Sequence, residues 1–285
     1  MGNISVKEAA RVFNSSHLSA VAEGDLSFVR KVSSEYLGRP VDCLSAFYES
    51  VYDRLSEDYR SEYFFKNYLV LRRLLGHHSV NTATMLTEFR VGKSKADCVI
   101  LNGKSTCYEI KTEFDSLARL EAQLNDYSKL FDEVYVVCSE KNVNLVLAKA
   151  PTSVGVLILN KKNYFHTKRK ATIRNHPVDR EMLFKSLRKQ EYLELVRSVA
   201  GETPKVANGK IFSACFDVVK GVSEDILCKC YLDILKRFRP LNGIFLESLP
   251  LSLKGAAVSY DFSSAEINSL RRIMQNKEVS CTVQS

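Results

Sequence analysis

The chain has 285 residues, 45% of them hydrophobic, with a formal net charge of +8 and a pI near 9. That length suits one large domain or two small ones around a sizeable core. With no signal-peptide pattern and no apolar stretch long enough to span a bilayer, a cytoplasmic protein is the expectation.

The first 50 residues read as helices. Ser5 to Glu8 forms a capping box ahead of Ala9, Ala10, Val12 and Phe13. The same stretch has the look of the first helix of a helix-turn-helix, but Asn14-Ser15-Ser16 lacks the usual turn glycine, which favours a packing helix. Residues 58–75 form an amphipathic helix through Tyr63, Phe64, Tyr68, Leu71 and Leu75, ended by Gly76-His77-His78. The histidine pair reads as solvent-exposed rather than as a metal pair. Three strands follow, at Thr84–Val91, 96–101 and 105–111. Gly92-Lys93-Ser94 lacks the upstream glycine and the helix start of a phosphate-binding loop.

The second and third strands carry the chemistry. Asp97 stands on one, and Glu109 and Lys111 on the other, with Asn102-Gly103 between them. Antiparallel partners are equidistant from the hairpin centre, and side chains alternate faces. A three-residue loop of Asn102, Gly103 and Lys104 places Asp97 opposite Glu109, with Lys111 on the same face; a two-residue Asn-Gly loop throws Glu109 to the other face. The odd register is therefore the expectation. Two carboxylates can hold a hard cation through oxygen, and a lysine can orient a water or stabilise developing charge. The plainer alternative is a strand-end ion pair of Glu109 with Lys111 or Lys95.

A helix over 116–130, capped by Asp115 or Ser116, comes next. Arg119, Gln123 and Tyr127 recur every four residues and share a face, beside an apolar face of Leu117, Leu120, Leu124 and Phe131. Residues 133–138 are a continuous apolar run that suits a buried strand, and 145–148 and 154–159 add two more. Beyond Asn160 the chain reads as helical and basic. Residues 161–190 hold ten Lys or Arg, among them Lys168, Arg169 and Lys170, against two acids, Asp179 and Glu181. Such a strip can neutralise phosphates; its bland counterpart is a solvated helix face. Residues 201–210 are the best linker, followed by helices at Glu224–Phe238 and 265–274, the latter with a Ser263-x-x-Glu266 capping box. The division is a helical extension over 1–50, a core over 51–160 and a basic, mainly helical region over 161–285. Of the eight cysteines, Cys98, Cys107 and Cys138 sit in apolar strands as small core residues, and Cys228-Lys-Cys230 has the wrong spacing for a zinc knuckle.

Asp97, eleven intervening residues and then Glu109-Ile110-Lys111 resemble the PD-(D/E)XK nuclease superfamily. Tyr108 to Tyr127, with Glu-Ile-Lys followed by Asp, Arg-Leu, Gln and Tyr, looks like a poorly characterised bacterial group within it. The resemblance covers roughly 58–140. It departs at Ala96, where the pattern has proline. It implies an α/β, restriction-endonuclease-like core: helix, three strands, helix, strand, in a mixed sheet flanked by helices, with helical extensions at both ends. It further implies that Asp97, Glu109 and the backbone carbonyl of Ile110 bind Mg²⁺, with Mn²⁺ able to substitute, and that Lys111 is the catalytic lysine. A further acid comes from the first core helix, where Glu62 fits, or from Glu88 on the first strand; Glu62 can equally pair with Lys66 one turn on. Gln123 and Tyr127 resemble an element that borders the active site and contacts nucleic acid, with Arg119 beside them. The expected activity is an endonuclease on DNA rather than RNA, in bacterial defence against phage by family analogy. Two readings stay open beside it: a toxin or effector whose terminal helices dock a partner or immunity protein, and a catalytically weak nucleic-acid-binding protein on the same scaffold. A homodimer is also left open.

Overall fold

The computed structural model describes residues 4–77 and 82–276. Of the histidine pair, His78 lies outside the described residues. The chain opens with five helices, α1 Val6–Ala9, α2 Ser15–Ala22, α3 Ser27–Val32, α4 Leu44–Asp58 and α5 Glu62–Leu69. Strands β1 Thr84–Val91, β2 Ser94–Asn102 and β3 Lys104–Lys111 follow, then α6 Leu120–Ser128, β4 Glu133–Ser139, α7 Val143–Lys149, β5 Gly155–Leu159 and β6 Phe165–Arg169. Helices α8 Arg180–Lys185, α9 Lys189–Ala200, α10 Ile211–Lys220, α11 Glu224–Phe238, α12 Gly243–Ser248, α13 Lys254–Ser259 and α14 Ser264–Gln275 complete it. No helix among the described residues is long and apolar enough to cross a membrane.

The chain divides into two compact units, Met1–His77 with Leu241–Ser285, and His78–Pro240. These boundaries differ from the divisions at 50 and 160 read along the sequence. The first unit is helical. Along α4 the buried residues are Leu44, Phe47, Tyr48, Val51, Tyr52 and Leu55, the three-then-one spacing of a helix with one apolar face. The helix expected over 58–75 is interrupted: Tyr59 leaves helical geometry, Ser61 is extended, and α5 starts at Glu62. Buried Asn67 ties the two chain segments of this unit together. Its amide donates to the Tyr52 hydroxyl and the Leu251 carbonyl, each at 3.0 Å, and its oxygen accepts from the Gly255 N–H at 2.6 Å.

The second unit is built on a six-stranded mixed sheet in the order β1-β2-β3-β4-β5-β6. The first three strands form an antiparallel meander, β3, β4 and β5 run parallel, and β6 returns antiparallel. Parallel neighbours need a crossover. Helix α6 supplies it between β3 and β4, and α7 between β4 and β5. This explains one correction: 145–148, read as a strand, lies in α7, whose Val146 is buried, as is Ala150 just past the helix end. A second strand escaped notice, because β6 is a polar edge strand inside the basic segment read as helical. Leu120, Leu124 and Tyr127 of α6 pack with Val99, Leu101, Cys107, Val136 and Cys138 of the sheet in a core that also takes in Leu183, Phe184, Leu195, Leu227 and Tyr231.

The β2–β3 hairpin has the odd register. Cys98 pairs with Tyr108, Leu101 with Ser105 and Asn102 with Lys104, around Gly103. Gly103 has a φ of +70°, the left-handed region that glycine enters without a Cβ clash.

Candidate functional site

Three neighbouring strands each bring one carboxylate to the same level of the sheet. Glu88 of β1 lies between the pairs Thr87–Cys98 and Phe89–Ala96, which sets it opposite Asp97 of β2. Asp97 lies one position before the Cys98–Tyr108 pair, which sets it opposite Glu109 of β3. The ladder is distorted here. Glu88 has a φ of 54°, a left-handed conformation that costs a non-glycine residue roughly 1–3 kcal/mol and tends to occur at functional sites. The carboxylates of Glu88 and Asp97 come within 4.8 Å of each other.

Each outer acid has its lysine. Lys95 Nζ is 2.6 Å from Glu88 and Lys111 Nζ is 2.6 Å from Glu109 Oε1. The ion pair that formed the plainer reading of Glu109 and Lys111 is thus present. Asp97 Oδ2 accepts the Ile110 N–H at 2.6 Å.

Glu109 is 1% exposed. Its Oε1 also accepts from Gln123 Nε2 at 2.6 Å, and its Oε2 from the Tyr127 hydroxyl at 2.8 Å. That hydroxyl lies 2.9 Å from the Lys95 carbonyl oxygen as well, so its single proton has two acceptors. Burial pushes the Glu109 carboxyl above its ordinary value, against the opposing pull of the Lys111 charge and of hydrogen bonds from Lys111, Tyr127 and Gln123. Burial and the Glu109 charge likewise push the Tyr127 phenol far up. Gln123 Oε1 is buried without a hydrogen-bond partner among the described residues.

Gln123 and Tyr127 therefore do share a face of α6, directed at Glu109. Arg119 does not continue it: the helix begins at Leu120, and Arg119 is its exposed N-cap residue. Asp115, read as a helix cap, instead caps the end of β3. Its Oδ2 accepts from Thr112 N and Thr112 Oγ1, both at 2.7 Å. Asn142 adds a bond to the Thr112 carbonyl at 2.6 Å. Lys95, the alternative partner expected for Glu109, pairs with Glu88 instead; the sequence reading does not single out Thr112 and Asn142, although the Thr-x-x-Asp spacing at 112–115 is a usable signal for the first.

In the first unit, Glu62 opens α5 and pairs with Lys66 at 3.2 Å, one turn on. In the basic segment, Lys168 and Lys170 are exposed, whereas Arg169 spends its guanidinium on the carbonyls of Val154 (2.7 Å), Ala150 (3.1 Å) and Pro151 (2.9 Å). Arg174 is also turned inward, bonded to Glu224 at 2.9 Å and lying 3.6 Å from Asp132.

A mixed α/β sheet with an acid–lysine cluster at the carboxyl end of its third strand defines the class of protein. The chain belongs to the bacteriophage P4 protein cII family, whose model matches residues 55–258, more than half of its length. Over 86 residues it is 35% identical to protein cII of Enterobacteria phage P4, a match covering 30% of this chain and 33% of that protein. The matched stretch thus spans about a third of the curated relative. No solved structure matches the chain.

Proposed function

We propose that the chain is a metal-dependent phosphodiesterase that cuts nucleic acid, DNA foremost, on a PD-(D/E)XK nuclease-like core. The observation that carries the reading is the convergence of Asp97, Glu109 and Lys111 from paired strands, with Gln123 and Tyr127 fixing Glu109 from the following helix. The order of helix, three antiparallel strands, crossover helix and parallel strand supports it. So does the cluster of acids that the three strands assemble. Its donors are oxygens, the set that a hard divalent cation takes. Asp97, Glu109 and Glu88 would hold Mg²⁺, with the Ile110 carbonyl as a further ligand; the ion, when bound, lowers the pKa of a water and shields phosphate charge.

The chain's own groups do the rest. Lys111 is buried at 7% exposure with its ammonium against Glu109, placed to orient a water and to stabilise charge on the phosphate. Tyr127 and Gln123 keep Glu109 in one rotamer, so the carboxylate is aimed before substrate arrives. Lys168 and Lys170 hold the sugar–phosphate backbone without reading bases. The family's namesake is a phage protein, so the setting proposed is a phage or its bacterial host.

One observation favours a second reading. Both Glu109 oxygens are already hydrogen-bonded, as expected of a scaffold that binds nucleic acid without cutting it. Cleavage of supercoiled plasmid, linear duplex, single-stranded DNA and RNA in Mg²⁺, Mn²⁺ or EDTA decides between them. The nuclease reading expects metal-dependent cutting that falls by about 10²–10³-fold or more in Lys111→Ala. Binding by both proteins with cutting by neither supports the scaffold.

A further inference from the structure

Helix α14 of the helical unit presents two arginines and two amides on one face. It has 12 residues and buries Leu270 and Met274. At 3.6 residues per turn, Asn268, Arg271, Arg272 and Gln275 fall on the opposite side. They line one hollow of about 460 Å³, with Asn276 just past the helix end. Asn268, Arg272 and Gln275 are exposed. Arg271 is half-buried, and its Nε is enclosed without a hydrogen-bond partner among the described residues. Several exposed cations on other helices pair with an acid three or four residues away, as Arg54 does with Asp58, Lys185 with Glu181, Arg197 with Glu194 and Lys220 with Asp217. Neither Arg271 nor Arg272 has an acid partner among the described residues. The one acid of α14, Glu266, is taken up in the capping box with Ser263 at the start of the helix.

The face is fixed from behind. Ser269 Oγ donates to the Ala22 carbonyl of α2 at 2.6 Å, and the Met274 carbonyl accepts from Ser45 Oγ of α4. Its chemistry selects the occupant. A guanidinium fork matches phosphate oxygens or the guanine edge, and a side-chain amide matches the adenine edge. A protein partner would want a large apolar anchor, and none of the exposed large hydrophobic residues lies on α14. A 12-residue helix is about 18 Å long and fits a major groove about 12 Å wide. We propose that α14 reads duplex DNA: Asn268 and Gln275 contact base edges in the major groove, and Arg271 and Arg272 contact bases or the flanking phosphates. The reading adds a choice of sequence to the proposed nuclease and does not depend on cleavage.

Selection by the full chain from a duplex DNA pool with a randomised centre tests it, in EDTA, where metal-dependent cutting is absent. Wild type is expected to enrich a short motif that includes adenine. Asn268→Ala and Gln275→Ala, at exposed positions, should each lower the preference for that motif over an unrelated duplex by about 5- to 150-fold, the range of one lost base contact. Affinity for the unrelated duplex should stay within about twofold. Lys168→Ala with Lys170→Ala, at positions assigned to backbone contact, should weaken both duplexes equally and leave the motif unchanged. Thermal melts check that each variant folds. The inference is overturned if no motif is enriched, or if the preference is unmoved by Asn268→Ala and Gln275→Ala. It is also overturned if the same sequence as an RNA duplex, whose major groove side chains cannot read, is preferred equally. The two proposals fail separately. Motif reading without Lys111-dependent cutting sinks the nuclease and leaves the reading helix. Lys111-dependent cutting with no motif does the reverse.

Discussion

Glu109 is held in tension between burial, which favours its neutral form, and the donors around it, which favour its anion. Burial prevails, and the pKa lies above the ordinary 4.5. A carboxyl raised on folding binds its proton more tightly in the native state, so its contribution to stability is complete below pH 4.5 and is lost as pH rises through the raised value. Glu109→Gln is uncharged at every pH and escapes that loss. The melting temperature of the variant relative to wild type should therefore climb between pH 4 and the raised pKa, and then level off. A gap that stays flat, or that narrows with rising pH, would show that Lys111, Gln123 and Tyr127 outweigh burial. The same balance bears on chemistry: a carboxylate costly to charge gains most from a divalent cation brought beside it.

At the level of elements, the second unit relies on a buried ion pair. Glu191 of α9 is 1% exposed, and its oxygens lie 2.6 Å from both Arg239 Nε and Nη2, just past the end of α11. Burial alone would raise the Glu191 pKa, but the Arg239 hydrogen bonds, the Arg188 N–H and both arginine charges bring it below its ordinary value. Arg239→Ala strands a buried carboxylate and should cost roughly 3–5 kcal/mol in chemical denaturation. A depressed carboxyl stabilises above pH 4.5 and loses its effect as acid protonates it, so wild type should approach the variant below that pH. A loss under about 1 kcal/mol at neutral pH would mean the pair does not anchor the two helices. Nothing in the local sequence announced this pair, because its partners are 48 residues apart. What was legible had local causes. The β2–β3 register followed from one turn and from the alternation of Asp97, Glu109 and Lys111, and Gln123 and Tyr127 followed from a four-residue repeat. The α7 crossover was misread because four apolar-leaning residues fit either period, and only the parallel pairing of β4 with β5 decides between them. Strand β6 was missed because an edge strand need not be apolar. The left-handed backbone of Glu88 has no sequence signature; it falls where the β1–β2 ladder skips a pair.

Across the whole molecule, charge separates by unit. The unit from His78 to Pro240 holds 27 Lys and Arg against 19 Asp and Glu, and the helical unit 14 against 14, so the entire excess of +8 belongs to the unit with the sheet. An excess confined in this way gives polyanion binding a location. If nucleic acid binds through it, affinity should fall with salt, and each lost phosphate contact should reduce the log–log slope by about 0.9 on duplex DNA. Replacing Lys161, Lys162, Lys168 and Lys170, all exposed, with alanine should weaken binding uniformly across sequences and flatten the slope by up to about 3.6. Replacing Lys7, Arg11 and Arg30 of the helical unit should leave both nearly unchanged. Fluorescence anisotropy over a salt series reads affinity and slope together. If the two sets of substitutions act alike, attraction arises from net charge alone. If only the first acts, backbone contact lies on the basic edge of the sheet unit. Arg169 belongs in neither set, because its guanidinium already holds the Ala150, Pro151 and Val154 carbonyls. Its removal would confuse loss of fold with loss of contact, and the exposed lysines around it separate the two.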